Sequence, residues 1–472
     1  MVGDADMVIG TVGASLVTHQ YTRRRLLGLA IGGPALAVSG CSSSISGQKS
    51  PSTADYATMA QNAYIWGFPL VMMQTYLASA RASGTPMNRL FVANALATPA
   101  TKASGPNVDT LYGYAWLDLS KEPQVVVVPD TDDRYYSIQL IDAYTNDFAY
   151  IGRRATGTLA GAYAITAPGW KGSLPRGVHR IAATTAEVLM LTRTLVAGEA
   201  DLPAALAVQA KYAIAPLSGY PAQAVAAKAV TEPLNLPILD LSAQGAAFFD
   251  KLGQAVAAAP PPAADSAGLA GFEKIGIGPG RRPAQDAADV PALHQAAVAG
   301  NKRITQANFS TLVNGWLVDT KITSFVTDPL FRAAVNLYGP GAHIAEEALY
   351  FTAATGSDGR PLTGTERYSL RFPAGELPPV DAFWSVTMYG EDFHLVANSL
   401  QRYAIGDRTK GLTYGADGSL DILIQHDAPA QGTANWLPAP ADPFRLILRT
   451  YQPQNALISG SYKLPPLTVT SS

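Results

Sequence analysis

Acids, an arginine and two tyrosines crowd one stretch of this chain. They are Asn107, Asp109, Asp130, Asp132, Asp133, Arg134, Tyr135, Tyr136 and Asp142. Loop acids beside strands can supply oxygen ligands to Ca²⁺, or bracket a glycosidic bond as acid and base. Asp109 and Asp130 are the catalytic candidates, with Asn107 and Arg134 as binders. Pro129-Asp130-Thr131-Asp132-Asp133 also reads as a hairpin turn that uses its acids for turn chemistry, the preferred reading for Asp132 and Asp133.

A second group holds Asn398, Arg402, Tyr403, Asp407 and Arg408, with Asn435 and Trp436 further on. A guanidinium fork and a ring can hold a carboxylate or a sugar. Asn398, Arg402, Tyr403, Asn435 and Trp436 are therefore candidate ligand binders. The same residues also read as a buried Arg–Asp pair that locks a loop, because buried charges are normally paired. Among the six histidines, His426 ends an apolar strand and opens into a loop, and it joins the catalytic candidates. His343 with Glu346 and Glu347 would share one face of a helix, but the spacing is not His-Glu-x-x-His and reads as fortuitous. The chain has no nucleophile elbow and no phosphate loop. Gly276-Ile277-Gly278-Pro279-Gly280 reads as a backbone joint rather than a dinucleotide turn. None of these features names a cofactor.

The elements that position these residues follow from periodicity. Asp55 to Ala82 is a helical pattern with Met59, Ala63, Trp66, Leu70 and Met73 on one face, and Pro69 is expected to kink or split it. From Leu111 the period switches to two. Leu111 to Leu117, Gln124 to Val128, Tyr135 to Ile141, Phe148 to Gly152, Ala162 to Thr166 and His179 to Ala183 read as strands of an antiparallel sheet or sandwich. Helices are expected at Leu202 to Ile214, Ala243 to Ala258, between Val290 and Val318, and at Pro329 to Leu337. Strands return at Arg367 to Phe372, Phe383 to Tyr389, Leu420 to His426 and Phe444 to Tyr451. No repeat of fixed period is evident. The fold class is α+β, with two sandwich- or jelly-roll-like, mainly antiparallel parts joined by a mostly helical middle.

The 472 residues contain one cysteine, in Val38-Ser39-Gly40-Cys41. It follows Thr22-Arg23-Arg24-Arg25-Leu26-Leu27 and an apolar run diluted by glycine. That run is about 13 residues long, short of the roughly 20 that a spanning helix needs. Paired arginines before a weakly apolar segment resemble a twin-arginine export signal, and Val-Ser-Gly-Cys resembles a lipobox. The expected plan is a signal at 1–41, a Ser- and Gly-rich tether at 42–53, a β-rich domain at 54–200, a helical middle and linker at 201–337, and a β-sandwich at 338–472. A lipid on Cys41 would make the membrane a partner and leave the folded body without a thiol. The net charge of −2, without a basic stripe, excludes nucleic acid as a partner. A polar small molecule or glycan is the expected ligand.

Specific strings carry a family resemblance. Asn107-Val108-Asp109-Thr110-Leu111-Tyr112, Pro129-Asp130 and Arg134-Tyr135-Tyr136-Ser137 resemble the domain of unknown function numbered 1254. Arg371-Phe372-Pro373, Pro379-Val380-Asp381-Ala382-Phe383-Trp384-Ser385, Arg402 to Arg408 and Asn435-Trp436-Leu437-Pro438 resemble its companion, numbered 1214. The resemblance implies a two-part, β-rich envelope protein and no known reaction. Two functions are therefore carried forward. One is an exported, lipid-anchored enzyme acting on a saccharide-like or ester-like ligand between the β-rich parts. The other is a lipoprotein that binds or scaffolds without catalysis.

Overall fold

The computed structural model describes residues 52–470 apart from 232, 233 and 235. The signal-like segment, Cys41 and nearly all of the expected tether lie outside the described residues. Helix α1 (Thr53–Ala82) opens on a capping box in which Ser52 Oγ accepts the Asp55 N–H and the Asp55 carboxylate returns to Ser52. Pro69 lies within α1 and does not divide it. Most side chains from Ala60 to Met73 are buried, and tertiary packing around the helix compensates the missing donor. Among the described residues no helix is long and apolar enough to cross a membrane.

The chain then builds a first sandwich. Its strands are β1 (Phe91–Ala93), β2 (Thr110–Asp118), β3 (Gln124–Val128), β4 (Tyr136–Asp142), β5 (Asp147–Gly152), β6 (Gly161–Thr166), β7 (Val178–Ala182) and β8 (Glu187–Leu195). Helix α2 (Leu202–Gln209), β9 (Ala213–Pro216), β10 (Val225–Ala226) and β11 (Lys228–Val230) complete it. One sheet has the order β11-β1-β2-β8-β4-β5 and the other β10-β9-β3-β6-β7. Period-two alternation sends Ala115 and Leu117 into the core between the sheets and Trp116 to the opposite face.

The middle of the chain is helical: α3 (Ala247–Ala258), α4 (Ala263–Phe272), α5 (Val290–Gln306) and α6 (Pro329–Tyr338). These helices share one apolar core with α1 and with Trp116, Leu189 and Leu191 on the outer face of the first sheet. Helix α1 thus belongs to the helical core, although it precedes the first strand. Two expected helices are shorter than expected. The first stops at Gln209 and gives way to β9. The second stops at Gln306, and the hairpin β12 (Thr311–Val313) and β13 (Trp316–Val318) follows. Asn314 and Gly315 turn that hairpin with φ of 52° and 86°, as a two-residue connection between twisted strands requires.

The second sandwich continues with β14 (Ala348–Ala353), β15 (Tyr368–Phe372), β16 (Val380–Gly390), β17 (Ala404–Gly406), β18 (Leu420–Gln425), β19 (Trp436–Pro438), β20 (Phe444–Pro453), helix α7 (Asn455–Ile458) and β21 (Leu467–Val469). Its sheets run β12-β13-β14-β20-β16-β17 and β19-β18-β15-β21. This is the first sandwich again. The order β1-β2-β8-β4-β5 corresponds to β13-β14-β20-β16-β17, and β9-β3-β6-β7 corresponds to β21-β15-β18-β19. A parallel pair sits at the same place in each, β6 with β7 and β18 with β19. A third parallel pair joins β1 to β11. All other strand pairs among the described residues are antiparallel. The chain is therefore an internal duplication. Tyr112 corresponds to Tyr350 but Arg193 to Arg449, so the separation drifts with loop length and no fixed period survives.

Candidate functional site

Strand register places matching residues in matching rows on the two six-stranded sheets. On the first, Tyr112 pairs with Arg193, Arg193 with Ser137, and Ser137 with Gly152. On the second, Tyr350 pairs with Arg449, Arg449 with Ser385, and Ser385 with Gly406. Both rows lie on sheet faces turned away from the sandwich cores, and these faces meet each other. Tyr135 and Phe383, which precede the two serines at equivalent positions, pack edge to face at 5.3 Å.

The contact is reciprocal, as an isologous interface must be. Asp109 in the first sandwich accepts from Arg408 Nη2 at 2.8 Å and from Ser385 Oγ at 2.5 Å. Glu347, its counterpart before β14, accepts from Arg154 Nε at 2.5 Å and from the Tyr135 hydroxyl at 2.8 Å. Arg154 and Arg408 stand at the same place, two residues beyond Gly152 and Gly406. Arg193 donates to Gln139 Oε1 and to the Gly341 carbonyl. Arg449 donates to Thr387 Oγ1 and to the Gly105 carbonyl. Gly105 and Gly341 both have positive φ, 61° and 76°, which points each carbonyl across the interface at little cost to a glycine.

The sequence-predicted residues fall into three places. Asn107 and Asp109 lie in this interface, where Asn107 Oδ1 accepts the Asp109 N–H and Asn107 Nδ2 donates to the Tyr451 hydroxyl. They meet Asp407 and Arg408 of the second group, which sequence distance kept apart. Asp130 sits in a turn, but not the expected hairpin, because β3 and β4 on either side belong to different sheets; it accepts the Asp132 N–H at 2.9 Å, while Asp132 and Asp133 take φ of 52° and 58°. Arg134 forms a bidentate pair with Asp201, and it also donates to the Leu195 carbonyl.

The rest of the second group locks loops within the second sandwich. Arg402 Nη1 donates to the carbonyls of Thr433, Ala434 and Trp436. Asn398 bonds both the N–H and the carbonyl of Arg402. Asn435 holds Thr413 and the Asp421 carbonyl, and Trp436 donates to the Gln425 carbonyl. Tyr403 packs against Tyr389, Leu395 and Ile447. His426 is exposed, with Nδ1 at 3.1 Å from the Ala439 carbonyl. Asp109, Asp130, His426 and Arg402 thus do not converge on one cleft. Among the described residues, no three His, Cys, Asp or Glu side chains are grouped to hold a metal.

Sequence reasoning missed the core of the interface. Arg193 and Arg449 are 5% and 4% exposed. Arg193 lies over the Tyr112 ring at 5.2 Å, and Arg449 lies over Tyr389 at 5.6 Å. Burial pushes the Tyr350, Tyr389 and Tyr451 hydroxyls above their usual range, so they stay neutral donors. His343 is fully buried, with its ring nitrogens facing Ser137 Oγ at 3.4 Å and the Tyr150 hydroxyl at 3.3 Å. Burial, then the Arg193 and Arg154 charges, holds it well below the usual histidine range, so it is neutral. Its stretch is a turn before β14 rather than a helix, and Glu346 points to solvent. Asp147 accepts from Gln139 and from the Tyr150 hydroxyl, and burial raises its carboxyl to about 7 against the pull of those bonds and of Arg193. Tyr112 and Tyr350 keep part of their surface accessible, although these buried groups surround them.

Sequence comparison gives each sandwich a family match. Residues 87–216 match the family described as "Protein of unknown function (DUF1254)", and residues 347–455 match "Protein of unknown function (DUF1214)". The chain belongs to the family that combines these two domains, and each match covers most of one sandwich. No curated protein matches the chain. Among solved structures it is similar to the VPA0106 protein from Vibrio parahaemolyticus, at 25% identity and a TM-score of 0.69, covering 88% of this chain and 100% of that one. A putative uncharacterized protein from Burkholderia cenocepacia matches at 12% identity and a TM-score of 0.42, over 89% and 95%.

Proposed function

We propose that this is an exported, lipid-anchored binding protein of the cell envelope, holding a small polar ligand between its two sandwiches. The observation that carries the reading is the pair Tyr112 and Tyr350. They occupy equivalent positions on facing sheets, keep accessible surface, and are backed by Arg193 and Arg449. Binding is favoured over catalysis because the carboxylates at this interface are committed. Asp109 and Glu347 each bond an arginine and a hydroxyl, which leaves neither free to exchange a proton with a ligand.

The test is a thermal-shift screen of the purified protein with sugars, small organic acids and phosphate esters. Ligand that binds only the native state raises Tm by mass action. At least one class should do so, and Tyr112→Phe with Tyr350→Phe should diminish the shift. A flat response to every class, or a shift that both substitutions leave intact, sinks the reading. The anchor is tested separately by metabolic labelling with a fatty acid, which Cys41→Ser should abolish.

A further inference from the structure

We propose that the interface between the sandwiches, beside Tyr112 and Tyr350, holds an oxyanion site, and that the group it recognises is the carboxylate of a small organic acid. This inference rests on the binding reading above and names the chemistry of that ligand.

The argument begins with charge. Five arginines stand at the interface. Arg153 pairs with Asp133 and donates to the Asp381 carbonyl and to Gln452 Oε1; the other four form two equivalent pairs. Arg154 and Arg408 are neutralised by Glu347 and Asp109. Arg193 and Arg449 are the most deeply buried of the four, and among the described residues neither forms an ion pair. Their partners are an amide oxygen, a hydroxyl and two backbone carbonyls. These bonds satisfy donors but do not neutralise charge. A buried ion without a counter-ion is costly to hold, so such groups are normally paired.

No resident group fills the deficit. The buried tyrosines stay neutral, and so does His343. Asp147 is the carboxyl nearest to Arg193 in electrostatic terms, and with a value of about 7 it is only partly ionised at neutral pH. Two fixed positive charges therefore face a fraction of one negative charge. Within their own contacts Arg193 and Arg449 meet no full counter-charge, which a monoanion would supply.

Hydrogen bonding points the same way. Arg193 Nε is buried and has no partner. The hydroxyl of Tyr350 accepts from the His343 N–H at 3.4 Å, and that of Tyr451 accepts from Asn107. Each can still donate its own proton. An orphaned guanidinium N–H with nearby hydroxyl donors suits an acceptor-only group. The flanking tyrosine rings suit an organic body attached to it rather than a bare inorganic ion.

The experiment uses the full chain at constant ionic strength. Benzoate and acetate are titrated as carboxylates, benzamide as the neutral isostere of benzoate, and inorganic phosphate as the bare oxyanion. Tm and the quenching of tyrosine and tryptophan fluorescence are both read. The expected result is a saturable Tm rise of several degrees with a carboxylate, none with benzamide, and at least a tenfold loss of apparent affinity in Arg449→Gln. Should Arg449→Gln fail to fold, Tyr350→Phe gives the same reading with the guanidinium left in place, and a loss of at least threefold is expected. Equal responses to benzoate and benzamide overturn the anion inference while leaving the binding reading intact. A response to phosphate alone overturns the organic carboxylate. No response to any of the four, in a protein that responds to sugars, overturns the inference and again spares the binding reading.

Discussion

Replacing Asp109 with Asn should show that this residue fastens the two sandwiches together. Its side chain is 7% exposed, and the Arg408 guanidinium it faces is 19% exposed. Breaking a buried pair from one side costs about 3–5 kcal/mol, because the remaining charge stays desolvated. Two features reduce that loss here. An Asn amide oxygen can still accept from Ser385, and Arg408 retains Asp407 at 3.2 Å and its place over the Phe383 ring at 4.1 Å. The expected loss is therefore about 3 kcal/mol, at the low end of that range. With an unfolding entropy of about 2.1 cal/mol/K per residue over roughly 420 folded residues, that is a Tm drop of about 3 °C. Glu347→Gln should also destabilise, since Glu347 is 1% exposed and likewise accepts from an arginine and a hydroxyl, those of Arg154 and Tyr135. A cycle of Asp109→Asn with Arg408→Gln, read by urea midpoint and slope, should give a coupling energy of about 2 kcal/mol. A coupling below about 0.5 kcal/mol would refute the reasoning, as would a Glu347→Gln protein as stable as the parent.

Two further perturbations follow from single groups. Asp147 keeps its proton in the native state up to about pH 7, whereas the unfolded chain releases it near 4. The native state is therefore destabilised as pH rises through that window, by up to about 4 kcal/mol. Urea midpoints at pH 5 to 8 should fall more steeply for the parent than for Asp147→Asn, and parallel profiles would contradict the assignment. At Gly406 a Cβ would lie 2.1 Å from the Trp384 carbonyl oxygen, and at Gly152 it would lie 2.4 Å from that of Tyr136. Gly406→Ala should thus cost about 1–3 kcal/mol, and a Tm unchanged to within 1 °C would show that the edge strand can move aside.

The elements were legible where local pattern decides them. The strands Gln124–Val128 and Phe444–Pro453 follow from short runs rich in apolar and β-branched residues, buried on both faces, and the helix Pro329–Tyr338 follows from helical spacing. Readings failed where chain chemistry overrode the pattern. The apolar stretch after Leu202 suits either a helix or a strand, and pairing of β9 with β3 decides for the strand beyond Gln209. Asn314-Gly315 is a hairpin signal that could have divided the supposed helix before Val318. The candidate site was legible in part. Asn107, Asp109, Asp407 and Arg408 are conspicuous, but their pairing needs two sandwiches face to face, which no local spacing encodes. Arg193 and Arg449 look like ordinary outward residues of half-buried strands. Only the repeated setting marks them: Leu-Tyr at 111–112 and 349–350, an aromatic pair before Ser137 and Ser385, Ile-Gly-x-Arg at 151–154 and 405–408, and Arg-Thr at 193–194 and 449–450.

Duplication explains why the arginines lie where they do. In two identical sandwiches joined face to face, every interface residue meets the counterpart of its own partner, so a positive group on one sheet implies a positive group on the other. The outer pair escaped that symmetry problem because each arginine reaches a carboxylate on the opposite sandwich. The inner pair reaches only carbonyl, amide and hydroxyl oxygens. The copies have diverged around the inner pair. Two residues after the left-handed glycine stands Asn107 in one copy and His343 in the other, and Tyr451 of β20 answers Leu195 of β8. Gln139 answers Thr387, and only the first sandwich places the titrating Asp147 beside its arginine. One-sided change of this kind would suit an asymmetric ligand, whose two ends would meet different donors. The Asp109–Arg408 and Glu347–Arg154 ion pairs that hold the halves together are kept in both copies, although their hydroxyl partners differ, Ser385 in one and Tyr135 in the other.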